Sequence, residues 1–414
     1  MPIDFTLTPE QQRLREDARA FAWDVLTKVD PATRELSSPL ERFAATKPFY
    51  EQAVAAGFLR RLVPAPLGGE ATGVVDMAVL AEEFHAVDVN VSLTLLATML
   101  GLFPVLIAGT PEQAGRLFAP FTTGGGAPLA AFAFSEPGGS ANFAEPAPAE
   151  GLRTRARLDG NEWVISGAKK WVSSGTGWAG AGADLLTIVC RTEPEASPEN
   201  GISIIAVNGP TSGIVLDRAI DSVGHRAHLQ PEFRLVDVRA PSDNLLGPRG
   251  GGKQIAEACF TGTAPIVGVF ATALMRAAFD FSLRFAKTEK RGGATPIISH
   301  QAVGYALADA KMAIEAVRSL SFRAARAFDT QAPGALELAL HAKVFGSETA
   351  VRVISDLMRV VGIDSYDRNL PLGGLLADAL VLPLFDGGNM GVRRRQLHTL
   401  MQAPDYDPLA ASQG

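Results

Sequence analysis

Apolar and polar positions along the chain change their period twice, dividing it into three stretches. In the first, Leu14, Ala18, Phe21 and Val25 recur at three- and four-residue spacing, which gives a helix one apolar face. Thr8-Pro9-Glu10-Gln11 marks where that helix begins. Threonine can cap it, proline suits the first helical position, and Gln11 completes a capping box. Helical spacing returns around 49–56, 75–86 and 91–107, and the breaker Gly124-Gly125-Gly126 ends this stretch. From about residue 129 the runs are short and β-rich, at 153–158, 162–166, 185–190, 202–207 and 233–238. Turns such as Asp159-Gly160 separate them, which predicts a compact β domain. A glycine-rich linker at 247–252 closes it. Long helical patterns follow at 255–285, 301–328, 336–361 and 375–382, with breaks short enough for an antiparallel four-helix bundle. Residues 405–414 read as a tail. The expected fold is therefore α+β: an N-terminal helical domain (1–126), a middle β domain (127–246) and a C-terminal helical bundle (247–414).

Composition narrows the function. With 414 residues, 47% hydrophobic and 20% charged, the chain can bury two or three cores. A net charge of −6 argues against a nucleic-acid partner. Cys190 and Cys259 have no metal-like spacing, so neither a disulfide framework nor a zinc site is expected, and both fit as small apolar filler. The six histidines, among them His85, His225 and His228, likewise lack metal-ligand spacing. No basic leader is visible, and the longest strongly apolar stretch, 264–275, reads as too short to span a bilayer. A soluble, cytoplasmic protein with no membrane partner is expected. No Gly-x-Gly-x-x-Gly follows a strand, no P-loop occurs, and Ser173 and Ser174 lie in no nucleophile elbow, so Rossmann, kinase and serine-hydrolase chemistry lack support.

Four segments carry chemical interest. The first is Phe134-Ser-Glu-Pro-Gly-Gly-Ser-Ala-Asn142, whose small residues leave backbone N–H groups free to face an anion. In Gly167-Ala-Lys-Lys-Trp-Val-Ser-Ser-Gly175 an aromatic ring stands beside hydroxyls. The stretch from Arg291 to Gln301 joins two bundle helices and offers a guanidinium suited to phosphate. Leu384-Phe-Asp-Gly-Gly-Asn389, followed by Gly391-Val-Arg-Arg-Arg395, sets one carboxylate at a glycine turn ahead of three cations. Singly each has an ordinary explanation: Asp-Gly is a common turn, an arginine triplet is usually a solvated helix face, and tryptophan is usually core.

In this order, on this helix–β–helix plan, the segments resemble the acyl-CoA dehydrogenase superfamily over nearly the whole chain. That resemblance implies FAD held between the domains and a homotetramer. It implies that Ser135 and Ser140 lie in the flavin-binding segment, that Trp171 sets its ring against the flavin, and that Ser173 brings a hydroxyl near N5. Arg291, Gln301 and Gly362 match positions that reach the FAD diphosphate and adenosine of a neighbouring subunit, and Gly387 and Gly388 fall among the cofactor-contacting positions. Two departures refine the expectation. The common base motif Tyr-Glu-Gly-Thr is replaced by Phe385-Asp386-Gly387-Gly388, and Ala264 stands where an arginine commonly meets coenzyme A. Both departures are similar to the branch that oxidises small nitroalkanes, as are Thr46-Lys-Pro-Phe-Tyr50, Pro66-Leu-Gly-Gly69 and Trp163-Val-Ile-Ser-Gly167. On this resemblance Asp386 is the base, Arg393 positions it, and Thr263 replaces a serine that hydrogen-bonds it. The implied reaction takes an α-proton, forms a flavin N5 adduct, releases nitrite and an aldehyde or ketone, and passes electrons to oxygen as hydrogen peroxide. Two alternatives stand beside it: an acyl-CoA dehydrogenase using Asp386 on a thioester, and a helical binding protein without FAD.

Overall fold

Helix α1 (Pro9–Asp24) begins as its sequence demands. In the computed structural model, which describes residues 6–146 and 148–413, Thr8 Oγ1 accepts from the Gln11 amide while Gln11 Oε1 accepts from the amide of Thr8. Helices α2 (Val29–Thr33), α3 (Pro39–Ala55), α4 (Val74–His85), α5 (Val89–Ala108) and α6 (Pro111–Phe118) complete the first stretch. The short α2 and α6 carry too little apolar repeat to stand out by period.

The middle stretch forms one sheet from β1 (Ala130–Ala133), β2 (Arg155–Asp159), β3 (Glu162–Lys170), β4 (Leu185–Arg191), β5 (Ile202–Asn208), β6 (Ile214–Ala219), β7 (Pro231–Pro241) and β8 (Leu245–Leu246). A single helical turn, α7 (Pro198–Gly201), links β4 to β5. The order is β6-β7-β3-β2-β4-β5-β8, with β1 parallel beside β4. Strands β4 and β5 are buried along almost their whole length, because α5 packs on β4 and the long α8 (Gly252–Thr288) packs on β5. Continuous apolar runs, not alternation, are what such doubly covered strands require. Strands β1, β6 and β8 have no counterpart among the expected runs: two are very short, and β6 is largely exposed.

Helix α8, α9 (Gln301–Asp329) and α10 (Ala335–Val361) pack on one another, and α11 (Pro371–Leu380) lies against α8 and α10. The chain ends with α12 (Arg394–Gln402) and α13 (Ala410–Gln413).

Two expectations are corrected. Helices α5, with a mean hydropathy of 2.2, and α8 are both long and apolar enough to cross a membrane; the 264–275 stretch understated them. In each, 78% of the most apolar window is buried inside the protein, so both serve as core helices. The tail is also docked. Tyr406 donates its hydroxyl to Glu337, Arg323 donates to the carbonyl of Ala411, and Ala411 packs in a small cluster with Ala324, Ala327 and Leu338.

Candidate active site

After α11 the chain turns sharply, with Asp386 (φ 51°) and Gly387 (φ 73°) consecutively in the left-handed region. Aspartate is among the few side chains that tolerate this conformation, and glycine adopts it freely. The turn carries the Asp386 carboxylate inward until it is 5% exposed. Each of its oxygens then meets a different donor. Thr263 on α8 donates its hydroxyl to Oδ1 at 2.9 Å, and Arg393 Nη2 donates to Oδ2 at 3.1 Å. Arg393 also donates through Nε to the backbone carbonyl of Asp386 at 2.9 Å, and to Gln396 Oε1 at 3.1 Å. Its guanidinium lies 5.8 Å from the Phe260 ring centre, so the cation is fixed on every side. Arg393 closes a single π-helical turn, Asn389–Arg393, and such turns recur at functional sites.

A buried network holds this turn to the bundle. Lys343 on α10, fully buried, donates to the Leu382 carbonyl at 3.0 Å and to Asn389 Oδ1 at 2.8 Å. Asn389 donates in turn to Ser347 and Glu348, and Glu348 receives both arms of Arg394. Burial pushes the Lys343 ammonium down to about 8, against the opposing attraction of Asp386.

The second half of the site stands at the end of β3. Trp171 (φ 62°) and Ser174 (φ 55°) are both left-handed, and amide bonds from Trp171 to Pro231 and from Ser174 to Leu229 hold the turn. Trp171 is left 52% exposed. The Ser173 hydroxyl lies 2.9 Å from His228 Nε2, and His228 Nδ1 lies 3.0 Å from Thr94 Oγ1 on α5. Ser135 accepts from the Lys170 amide through its carbonyl, placing the 134–142 loop beside the tryptophan turn. Glu136 anchors that loop: it is 5% exposed, pairs with the buried Lys169 at 3.0 Å, and accepts from the amides of Arg153 and Thr154. Around Gly138 and Gly139 there is open space, and Ser140 is partly exposed. Arg395 donates to Asn142 Oδ1 and the Ala141 carbonyl, which ties this loop to the segment following Asp386.

Arg291 and Gly362 lie together at the end of the bundle where Gln301 begins α9. Arg291 pairs with Asp364 at 2.7 Å, donates to the Val361 carbonyl and lies over Phe285, with Gly362 beside its guanidinium. Gln301, at the start of α9, donates to the exposed hydroxyl of Tyr305. At Gly387 a side chain would strike Arg393, with Nε only 2.8 Å from the position of a Cβ; at Gly388 it would meet the Leu384 carbonyl at 3.2 Å.

Sequence reasoning missed three residues here. Lys343 had a signal, since it falls between buried Leu340 and Val344 on an apolar helix face. Thr94 and His228 had none, because only folding brings them to Ser173.

The chain matches the acyl-CoA dehydrogenase N-terminal domain over 8–125, the middle domain over 131–238 and the C-terminal domain over 250–400. It belongs to the acyl-CoA dehydrogenase superfamily, a class of flavoprotein oxidoreductases. Within that class it is similar to the nitroalkane oxidase of Podospora anserina, with 42% identity covering 100% of this chain and 99% of the relative. Similarity to the nitroalkane oxidase of Fusarium oxysporum is 38% over 100% and 98% of the two chains. The structure of a nitroalkane oxidase active-site mutant crystallised with 1-nitrooctane superposes with a TM-score of 0.95, at 37% identity and 99% coverage of both chains.

Proposed function

We propose that this protein is an FAD-dependent oxidase of small nitroalkanes, releasing an aldehyde or ketone, nitrite and hydrogen peroxide, with Asp386 as the base. The observation that carries the proposal is the buried Asp386 carboxylate gripped by Thr263 and Arg393, on a chain similar to nitroalkane oxidases along its whole length. A nitro group acidifies its α-carbon, yet the proton leaves slowly in water because charge must move onto the nitro oxygens. With one lone pair on each oxygen committed to a fixed donor, Asp386 keeps the others for the α-proton, already oriented and shielded from solvent. Phe260 lies one turn before Thr263 and packs against Phe132 and Phe134, giving an apolar wall beside the base for an alkyl tail.

The residues present fit a flavin. Trp171 offers a half-exposed ring, Ser173 a hydroxyl next to it, and the Ser135–Ser140 segment an open glycine loop. Bound there, FAD would supply N5 as the acceptor for the substrate's electrons. On this reading Arg291, Gln301 and Gly362 hold the diphosphate and adenosine of a neighbouring subunit's FAD, as a homotetramer requires. Gly387 and Gly388 keep the base loop close against the cofactor.

The test is nitroethane under air, with nitrite release and oxygen consumption followed alongside a panel of acyl-CoA thioesters. Nitrite release and oxygen uptake are expected, with no bleaching of the flavin by thioesters. The Asp386→Asn variant should bind FAD but take the proton at least about a hundredfold more slowly. Thioester turnover without nitrite, or near-normal rates in the variant, refutes the proposal.

A further inference from the structure

We infer that Thr94 and His228 fix the direction of the Ser173 hydroxyl, so that Ser173 presents a lone pair, and not a proton, to the group in front of it. The chain of bonds admits one consistent polarity. Thr94 Oγ1 lies 2.8 Å from the carbonyl of Asn90, one helical turn earlier, and a carbonyl can only accept. The single hydroxyl proton of Thr94 is therefore spent there. Its other contact, His228 Nδ1 at 3.0 Å, must then be one in which threonine accepts and Nδ1 carries the hydrogen. Burial pushes His228 down to about 3, so the ring is neutral and holds one hydrogen only. Nε2 is left bare, and Ser173 Oγ, 2.9 Å away, has to donate to it. The relay runs from Ser173 through His228 and Thr94 to a backbone carbonyl, with Thr94 and His228 almost fully buried. Asn90 secures it twice, since its side chain also accepts from the amide of Ala227, next to His228.

The consequence rests on the reading of Ser173 as the hydroxyl facing flavin N5. Oxidised flavin has only a lone pair at N5, whereas reduced flavin has an N5–H. A serine whose proton is committed to His228 can accept from the reduced form and offers nothing to the oxidised one. His228 and Thr94 are thus positioning residues that favour electron arrival on the flavin.

Two measurements on the holoenzyme test this. The first is magic-angle-spinning 15N NMR of histidine-labelled protein, with His228 assigned by its loss in His228→Leu. The Nδ1–H tautomer is expected, and an Nε2–H tautomer overturns the inference. The second is the two-electron reduction potential of the flavin. Thr94→Val lets the imidazole reverse, and His228→Leu frees the serine, so each should lower the reduced-to-oxidised ratio at fixed poise roughly fivefold, about 20 mV. Ser173→Ala should do the same, and Thr94→Ser should retain the wild-type potential, a rescue that a purely structural role does not give. If Ser173→Ala shifts the potential while Thr94→Val and His228→Leu leave it unchanged, the relay is refuted. If Ser173→Ala leaves it unchanged too, the placement of Ser173 at N5 fails, and the tautomer alone decides the inference.

Discussion

Replacing Gly387 with alanine should damage the base without touching any side chain that reacts. The residue sits at φ 73°, where an alanine costs about 1–2 kcal/mol. The new Cβ would also lie 2.8 Å from Arg393 Nε, 3.0 Å from Cζ and 3.3 Å from Nη2. Ordinary contact begins near 3.4 Å, so the guanidinium must retreat by a little over half an ångström. A flexible arginine on the surface would do so cheaply. Arg393 is 1% exposed and donates to the Asp386 carbonyl, the Asp386 carboxylate and Gln396, so retreat stretches the bonds that aim the base. Adding part of the cost of loosening a buried ion pair to the backbone strain gives a destabilisation of about 2–4 kcal/mol. A displacement of about 1 Å in a reacting group can cost about a hundredfold in rate, so proton abstraction should slow by about ten- to a hundredfold. Urea denaturation measures the first effect, and anaerobic stopped-flow bleaching of the flavin by nitroethane measures the second. Gly388→Ala is the control: its φ is −52° and its Cβ would come no closer than 3.2 Å, to the Leu384 carbonyl, so it should be the milder change in both. Equal behaviour of the two variants refutes the reasoning.

Other outcomes follow from the same contacts. Thr263→Val removes the hydroxyl donated to Asp386 Oδ1 at nearly constant shape, so flavin bleaching should slow about tenfold with FAD content unchanged, and Thr263→Ser should restore it. Lys343→Met cuts the links to Leu382 and Asn389 that hold the base loop, and kcat should fall about tenfold in steady-state nitrite release. His228 is lowered from 6.5 to about 3, so the folded state excludes a proton that the unfolded chain takes up below pH 6.5. Its contribution to stability is therefore lost as pH falls from 6.5 towards 3, amounting to about 2 kcal/mol at pH 5. Urea midpoints of His228→Leu should accordingly fall less steeply with acid than those of the wild type. The nearby Asp88 and Asp378, raised by burial to about 6 and about 7, act with the opposite sign but are common to both proteins.

Much of the site could be read before folding because its parts are local. Asp386, its two glycines and Arg393 lie within eight residues, and Trp171 and Ser173 share one turn, so their proximity is written into the chain. The partners that organise them are not local. Thr263 is 123 positions from Asp386, and Thr94 is 134 from His228. For Thr263 only a family resemblance pointed to the base; for Thr94 and His228 nothing did. The membrane-length helices show the opposite failure, since mean hydropathy cannot distinguish a core helix from a spanning one until its neighbours are known.

By itself the sequence determined where the period changes from helix to strand and back, and therefore the three stretches, because backbone periodicity follows from neighbouring residues alone. It also determined that an aspartate followed by glycine would turn ahead of an arginine. Which side chains meet that carboxylate, which way the Ser173 hydroxyl points, and why Gly387 admits no side chain were decided only in three dimensions. Burial makes the difference: in water an aspartate at a turn is one solvated charge among many. Enclosed by α8 and the π-helical turn, each of its oxygens must find a donor, and Thr263 and Arg393 are the donors the fold provides.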